Sequence, residues 1–274
     1  MQSFIKKNVL AVTLAAATVA PIAGCSSTTS AGVVGADRKQ LLLVSSEEIM
    51  QLSNRAYLQT INEARAKGKL DNNYAQVQRL RRIANHLIPQ TTALRPDATS
   101  WDWKVHAITD NQINAYVMPG GKIVFYTGII ERLKLTDAEI AAIMGHEMAH
   151  ALREHSREKA SRGVATQGVL GIAVSALGLS SGQAQLVGLA GQLGLDLPHS
   201  RTQEAEADKI GIELMARAGY DPNAAVTLWQ KMQSAGGGSV LQFLSTHPSS
   251  ANRISNLKAL VPTVMPLYQA APKR

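Results

Sequence analysis

The chain has a single cysteine among its 274 residues, Cys25, so no disulfide can form within it. It also lacks clusters of lysine and arginine interleaved with aromatic residues. Nothing therefore favours nucleic acid as a partner, despite a formal net charge of +8. No segment repeats along the chain. What is present is 45% hydrophobic residues in a length that suits one domain, which is typical of a helix-rich globular protein with a sizeable core.

The first residues have the pattern of an export signal. Lys6 and Lys7 form a positive region ahead of an apolar run over 9–20, which is too short to cross a bilayer comfortably and suits a signal peptide. Residues 22–25, Ile-Ala-Gly-Cys, resemble a bacterial lipobox, in which small residues admit a signal peptidase and the cysteine thiol receives lipid. We therefore predict a lipoprotein signal peptide over residues 1–24.

Lipidation of Cys25 would hold the rest of the chain at a membrane surface. The residue after the cysteine is Ser26 and not an aspartate. This resembles the outer-membrane sorting pattern of enteric-type bacteria. Residues 26–35 are rich in serine, threonine and glycine, so we predict that they are flexible, within a lipidated tether that covers 25–44. The expected location is the bacterial cell envelope, on the periplasmic face of the outer membrane.

The remaining pattern predicts an α+β domain over 45–265. Capping boxes and apolar residues at helical spacing predict helices in an N-terminal part, 45–95, and through most of a core, 100–260. A box at Thr136 starts a helix that we expect to continue to about Ser161, and another at Ser200 starts a second long helix. Three strand-like runs predict a small sheet: 101–107, 114–118 and 122–126, with the turn Pro119-Gly120-Gly121 between the last two.

The segment His146-Glu147-Met148-Ala149-His150 lies in the middle of the helix that Thr136 caps. Residues i and i+4 share one helical face, so both imidazoles can reach one ion, and neutral imidazole is a good zinc ligand. Glu147 sits near the same side, where it can take a proton from a water whose pKa the metal lowers. The motif is short and also occurs by chance, but its helical context favours a metal-dependent hydrolase.

A catalytic zinc needs a third protein ligand and one open position. His155 lies nine residues past His146, about 180° round a continuous helix, so we expect it to face away and to lie at the surface. Glu204 and Asp208 share one face of the Ser200 helix. One of them could bind the metal while the other accepts a hydrogen bond from a ligand histidine. A solvated acidic turn explains the same spacing, and the residues alone leave both interpretations open.

Four segments of the chain form a specific combination between about Trp103 and Leu260. They are Asn114-Ala115-Tyr116-Val117-Met118-Pro119-Gly120-Gly121-Lys122-Ile123, Gly145-His146-Glu147-Met148-Ala149-His150, Glu204-Ala205-Glu206-Ala207-Asp208, and Thr246-His247-Pro248 with Arg253-Ile254. Together they resemble the gluzincin peptidases of the CAAX-prenyl-protease and HtpX family. The likeness is greatest to the periplasmic lipoprotein branch of that family, the LoiP- and BepA-like proteins.

This resemblance implies a mainly helical, zincin-like metalloprotease domain with a small sheet beside the zinc helix. It implies one Zn²⁺ per chain, held by His146, His150 and Glu204, with Glu147 as general base and acid. Two imidazoles and a carboxylate suit zinc. Asp208 would orient a ligand histidine.

The resemblance also extends to residues around the metal. His247 matches a histidine that approaches the site, where it would either stabilise the oxyanion or block the zinc as a removable fourth ligand. Arg253 would support either role. The strand Asn114, Ala115, Tyr116, Val117 and Met118 resembles the edge strand that aligns an extended peptide substrate by β-addition.

The function that follows is a membrane-tethered zinc endopeptidase that hydrolyses misfolded or unassembled envelope proteins. The alternative is a chaperone-like factor that works with the outer-membrane assembly machinery and rarely cuts. Glu147 favours catalysis, because a structural zinc site has no need of a carboxylate at that position.

Residues 163–195 carry no charge, and two interpretations stay open for them: a mobile lid over the active site or insertion into the membrane.

Overall fold

The computed structural model describes residues 25–176, 198–235, 240–248 and 252–274. The predicted signal peptide and most of the uncharged stretch 163–195 lie outside these residues. The described chain is mainly α-helical with two small sheets, which confirms the predicted α+β class.

The first half of the chain contains all the described strands. Strands β1 and β2 cover Cys25–Ser26 and Gln40–Leu41, and helices α1 and α2 cover Ser46–Ala66 and Tyr74–Leu87. Two short 3-10 helices, Ile88–Ala93 and Pro96–Ser100, lead to β3 (Lys104–Ile108), β4 (Ala115–Met118) and β5 (Lys122–Tyr126). The helices that follow are α3 (Thr127–Arg132), α4 (Asp137–Leu152), α5 (His155–Ala176), α6 (Arg201–Arg217), α7 (Asn223–Ser234), α8 (Val240–Thr246) and α9 (Arg253–Ala270).

The three-stranded sheet has β5 at its centre, with β3 parallel on one side and β4 antiparallel on the other. Gly120 and Gly121 lie between β4 and β5 with φ angles of 81° and 83°, a conformation that glycine adopts without steric cost. The predicted Pro-Gly-Gly hairpin is therefore confirmed. Ala115 and Val117 of β4 are buried, and β4 contacts α4, so the edge strand of this sheet lies beside the helix that carries the HExxH motif.

Helix α4 begins at the predicted capping box. The Thr136 side chain accepts from the Glu139 backbone N–H, and the Glu139 carboxylate accepts from the Thr136 N–H at 2.8 Å. Every residue of α4 from Glu139 to Leu152 is buried, because α2, α6, α7 and β4 pack around it. The motif histidines are thus held in the interior of the domain rather than on a solvated face.

Helices α4 and α6 cross at two glycines, Gly145 and Gly211. A Cβ added at Gly145 would lie 2.9 Å from the Gly211 carbonyl oxygen, and one added at Gly211 would lie 2.8 Å from the His146 backbone nitrogen. Only residues without a side chain allow this approach. The crossing places the start of α6, with Glu204, next to the second half of α4.

The substitution Gly211→Ala is expected to lower the free energy of unfolding by about 1–3 kcal/mol, because the methyl group forces the two helices apart. Urea unfolding followed by circular dichroism measures this change. Gly163→Ala is the matched control: Gly163 also lies in a helix, and nothing lies within 4 Å of its added Cβ. That control should be neutral or slightly stabilising. Equal unfolding energies for the two variants would contradict the tight crossing.

Residues 25–44, the N-terminal segment, pack against the domain. The strands β1 and β2 pair with each other, and Val34 is buried in the main core. The fully buried Arg153 donates to the hydroxyl oxygens of Ser27 and Thr29. The predicted flexible tether is therefore wrong. Its hydroxyl residues are acceptors for a buried guanidinium more than a hundred positions away along the chain, which composition cannot reveal.

Among the described residues, no helix combines the length and apolar character that a membrane crossing requires.

Candidate metal centre

Four donor groups meet between α4, α6 and the residue after α8. Their ligand atoms all lie within 4.8 Å of one another, and all four residues are buried. His146 Nε2 lies 3.1 Å from His150 Nε2, and the Glu204 carboxylate oxygens lie 3.5 Å and 3.3 Å from those two nitrogens. The members of this donor cluster are His146, His150, Glu204 and His247.

The donor cluster fits a divalent metal ion. Three imidazoles, which bind metal in their neutral form, converge with one carboxylate in a buried space. Divalent ions such as zinc bind donors of these types. Burial alone would raise the pKa of Glu204, but hydrogen bonds from His146, His150 and His247 hold that pKa well below its usual range. Glu204 therefore supplies negative charge to the donor cluster, which favours the binding of a cation.

Asp208 and Arg253 lie behind the donor cluster. Asp208 Oδ1 is 3.0 Å from His146 Nδ1, on the side of the ring that faces away from the other ligands. Arg253 donates to Asp208 Oδ1 at 2.6 Å and to Glu204 Oε2 at 2.8 Å, and its guanidinium lies over the Trp229 ring at 3.5 Å. One arginine thus holds the carboxylates of Glu204 and Asp208 in place.

Glu147 is buried beside the cluster but takes no part in it. Within the described residues its Oε1 atom has no hydrogen-bond partner, and His247 Nε2 lies 3.4 Å from that atom. Burial raises the pKa of this carboxyl group. A buried carboxylate with an uncommitted oxygen next to a metal site is placed to exchange protons with a bound molecule.

His155 is fully buried and contacts the cluster, so the prediction of a surface position is wrong. Helix α4 ends at Leu152, Glu154 has a positive φ of 48°, and α5 begins at His155 itself. The prediction assumed about 100° of rotation per residue through an unbroken helix. The break turns the chain back, and His155 Nδ1 comes within 2.8 Å of His150 Nδ1.

His199, to which no role was assigned from the sequence, also reaches the site. Its ring lies 3.8 Å from that of His150, centroid to centroid, and its backbone N–H donates to Thr246 O. Its Nδ1 atom is buried and has no partner in the part of the chain that the structure describes. The only local signal for this residue was its position just before the Ser200 cap, and that signal does not indicate function.

A cavity of about 530 Å³ opens next to Glu147 and the donor cluster. Strand β4 borders it over Ala115–Met118, and α1 contributes Ala56 and Thr60 to the lining. His150, His199 and His247 line the same space. The structure thus brings the predicted edge strand, the predicted base and the predicted ligands to one cleft.

The sequence matches Peptidase family M48 over residues 74–261. It is 43% identical over 162 residues to the mitochondrial metalloendopeptidase OMA1 of Schizosaccharomyces pombe, and this match covers 58% of this chain and 47% of that protein. It is 30% identical over 257 residues to the metalloprotease LoiP of Escherichia coli, covering 92% of this chain and 96% of LoiP. It is 28% identical over 210 residues to the beta-barrel assembly-enhancing protease of Yersinia pestis, covering 72% and 41% respectively.

The chain spans between 30% and 49% of the length of the OMA1 relatives that it matches. The family match nevertheless contains all four members of the donor cluster together with Glu147, Asp208 and Arg253. This match confirms the resemblance read from the four sequence segments, and the His, His and Glu cluster is of the kind that binds zinc. The chain therefore belongs to peptidase family M48.

Proposed function

We propose that this chain is a zinc-dependent endopeptidase that cuts unfolded or unassembled proteins of the bacterial envelope. The observation that carries the proposal is the buried Glu147 carboxylate beside the His146, His150 and Glu204 donors, with one oxygen that accepts no hydrogen bond from the described residues. A purely structural metal site needs no such carboxylate. The membership in a peptidase family and the cleft along β4 support the same conclusion.

When bound, zinc at this centre would polarise the scissile carbonyl and make water a better acid. Glu147 takes the proton of the attacking water and passes it to the leaving amine, which requires a pKa above that of an ordinary carboxyl group. Asp208 accepts from His146 Nδ1 and so keeps its Nε2 lone pair directed at the centre. Arg253 donates to both Asp208 and Glu204 and so fixes the positions of their carboxylates.

Strand β4 is suited to bind an extended peptide. The Tyr126 N–H donates to Asn114 O at 3.1 Å, so the backbone of Asn114 faces β5. Backbone direction alternates along an antiparallel pair, so the N–H and C=O groups of Ala115 and Val117 point away from β5. Among the described strands, none pairs with this outer edge, and it borders the cavity that contains Glu147. We expect a substrate strand to pair there.

The proposal is tested on the full chain purified in detergent. We expect about one zinc ion per chain by elemental analysis, cleavage of casein as an unfolded substrate, loss of cleavage with a chelator, and recovery on adding zinc. A protein that holds no metal and cuts nothing would refute the proposal.

A chaperone-like role is the second candidate. The site contains a fourth donor, His247, whose Nδ1 lies 3.1 Å from Glu204 Oε1, and a zinc with four protein ligands has no open position. The beta-barrel assembly-enhancing protease of Yersinia pestis carries a related sequence, so outer-membrane assembly machinery is a candidate partner. Zinc binding without cleavage of casein, together with suppression of client aggregation, would favour this second role.

We further propose that His247 closes the site as a removable fourth ligand. Its Nδ1 faces the other donors, and its Nε2 lies 3.4 Å from Glu147 Oε1. The same ring therefore contacts both the donor cluster and Glu147, the two groups that an attacking water would need. The stacking of Phe243 on His247, at 4.5 Å, holds the ring in this position.

His247→Ala is accordingly expected to keep its zinc and to cut casein faster. If the closed arrangement holds about nine molecules in ten, opening it raises the rate about 10-fold. Initial rates per bound zinc measure this, with His86→Ala as the control, since His86 contacts Tyr220 and does not belong to the donor cluster. A fall of about 100-fold with zinc retained would instead assign His247 to oxyanion stabilisation.

The proposed location is the periplasmic face of the outer membrane, through a lipid on Cys25. Cys25 is exposed in the structure and free of disulfide partners, as a lipid attachment site must be. The similarity to LoiP, which extends over 92% of this chain, is compatible with a shared N-terminal organisation. Misfolded envelope proteins are the substrates that such a location would supply.

A further inference from the structure

We propose that His155 is a positioning residue for the metal ligand His150, and that Arg38 of the N-terminal segment supports it from the far end of a hydrogen-bonded chain. The proposal rests on the metal centre described above. Both His155 and Arg38 lie outside the HExxH motif and outside α6. This series of hydrogen bonds runs from His150 through His155 and Glu206 to Arg38 and Arg153.

The orientation of His150 defines the first link. Its Nε2 faces the donor cluster, 3.3 Å from Glu204 Oε1, and its Nδ1 faces His155 Nδ1 at 2.8 Å. A histidine that binds a metal through one nitrogen carries its hydrogen on the other. His150 Nδ1–H is therefore the donor and His155 Nδ1 the acceptor. The contact sets both the tautomer and the ring plane of the ligand.

The second link anchors His155 itself. With Nδ1 as acceptor, the hydrogen of His155 lies on Nε2, which donates to Glu206 Oε2 at 3.1 Å. Glu206 Oε1 accepts from Arg38 Nε at 2.8 Å and from Arg153 Nη2 at 3.1 Å. Two guanidinium groups thus keep Glu206 ionised and fixed. The direction of donation is determined at every step.

The other metal-site histidine shows the same principle in a shorter form. His146 Nδ1 meets Asp208 directly at 3.0 Å, while His150 reaches its carboxylate through the His155 ring. Both anchoring acids lie on α6, the helix that supplies Glu204. One helix therefore contributes a ligand and the outer supports of both histidines.

Arg38 connects this arrangement to the N-terminal segment, which lies ahead of the residues matched by the family. Its guanidinium bridges two buried carboxylates, donating to Glu158 at 2.8 Å and 2.9 Å as well as to Glu206. Arg153 fastens the same segment by donating to the Arg38 carbonyl at 2.7 Å. The consequence is that a change in the N-terminal segment alters the metal site without touching a ligand.

The test is zinc affinity, measured on the full chain in detergent by competition with a chromogenic chelator. His155→Phe keeps the ring and removes both hydrogen bonds, and we expect zinc to bind about 10- to 100-fold more weakly. Arg38→Gln leaves His155 in place and removes one support, so we expect a loss of about 3- to 10-fold. The visible absorption spectrum of the Co²⁺-loaded protein should change in His155→Phe, because the His150 ring is free to turn.

Two matched controls separate positioning from general destabilisation. Arg79→Gln removes an arginine whose side chain is about as exposed as that of Arg38, 25% against 30%. Its partner is Asp137, in the first turn of the helix that carries His150. His86→Phe removes a histidine that contacts Tyr220. Both should bind zinc within about twofold of the wild type and keep its Co²⁺ spectrum.

Each outcome decides the proposal. Wild-type affinity in His155→Phe, or equal affinities in Arg38→Gln and Arg79→Gln, would overturn it; the arginine pair decides alone if His155→Phe does not fold. A second zinc per chain that His155→Phe loses would also overturn it, since His150, His155 and His199 offer three nitrogens within 4.8 Å. A wild type that binds no zinc would refute the proposed function itself, a different result.

Discussion

Glu147→Gln is expected to bind zinc as the wild type does and to cut casein about 100- to 10,000-fold more slowly, the range that general bases contribute. The amide has the volume of the carboxylate but cannot accept a proton. Glu147 Oε1 has no hydrogen-bond partner among the described residues, so the substitution breaks no hydrogen bond of theirs at that atom. The measurements are initial cleavage rates and zinc content of the same preparation.

Glu139→Gln is the matched control for this prediction, because Glu139 is also a buried acid of α4. It belongs to the capping box and pairs with Lys231 at 2.7 Å, away from the cleft. We expect lower stability and a rate per bound zinc within about twofold of the wild type. If Glu147→Gln keeps its zinc and still cuts at the wild-type rate, Glu147 is not the base and the peptidase mechanism proposed above is wrong.

Glu204→Gln is expected to lose the metal. Its carboxylate is the sole anion of the donor cluster and accepts from Arg253 at 2.8 Å. The neutral amide is a poorer ligand and leaves the Arg253 charge without this partner beside the bound cation. Loss of an outer support weakens zinc binding by about 10- to 100-fold. We expect the loss of the Glu204 carboxylate to weaken it by more than that. Elemental analysis after dialysis, with chelator competition, measures it.

Glu213→Gln tests whether this effect is specific to the centre. Glu213 lies on the same helix, is fully buried, and pairs with Arg217 at 2.7 Å. It also accepts from the Val33 N–H at 2.9 Å, so its loss should lower stability. Zinc content should remain that of the wild type. Zinc retention in Glu204→Gln would show that Glu204 is not a ligand and would leave the cluster with histidines alone.

Local sequence signals were most accurate where the physics is local. The capping boxes at Thr136 and Ser200 both form as predicted, because all their hydrogen bonds lie within one helical turn. The i, i+4 spacing likewise placed His146 and His150 on one face, and their Nε2 atoms lie 3.1 Å apart. Such features need no information about distant parts of the chain.

The errors arose where a local rule was extended beyond its range. His155 was predicted at the surface by continuing the rotation of α4, but the helix ends at Leu152 and the next begins at His155. The Ser-, Thr- and Gly-rich N-terminal segment was predicted to be a free tether. Its partner, Arg153, lies 126 residues from Ser27, so neither periodicity nor composition indicates the contact.

The sequence by itself determined the chemical type of the centre: two histidines one turn apart, an adjacent glutamate, and acids on a second capped helix. It also determined the hairpin that joins β4 to β5. Only the tertiary structure decided which acid faces the histidines, because the Gly145 and Gly211 crossing sets the register of α6 against α4. It alone assembled the support behind His150, whose links join residues 51 and 168 positions apart. Hydrogen bonds over such separations follow from packing and leave no pattern along the chain.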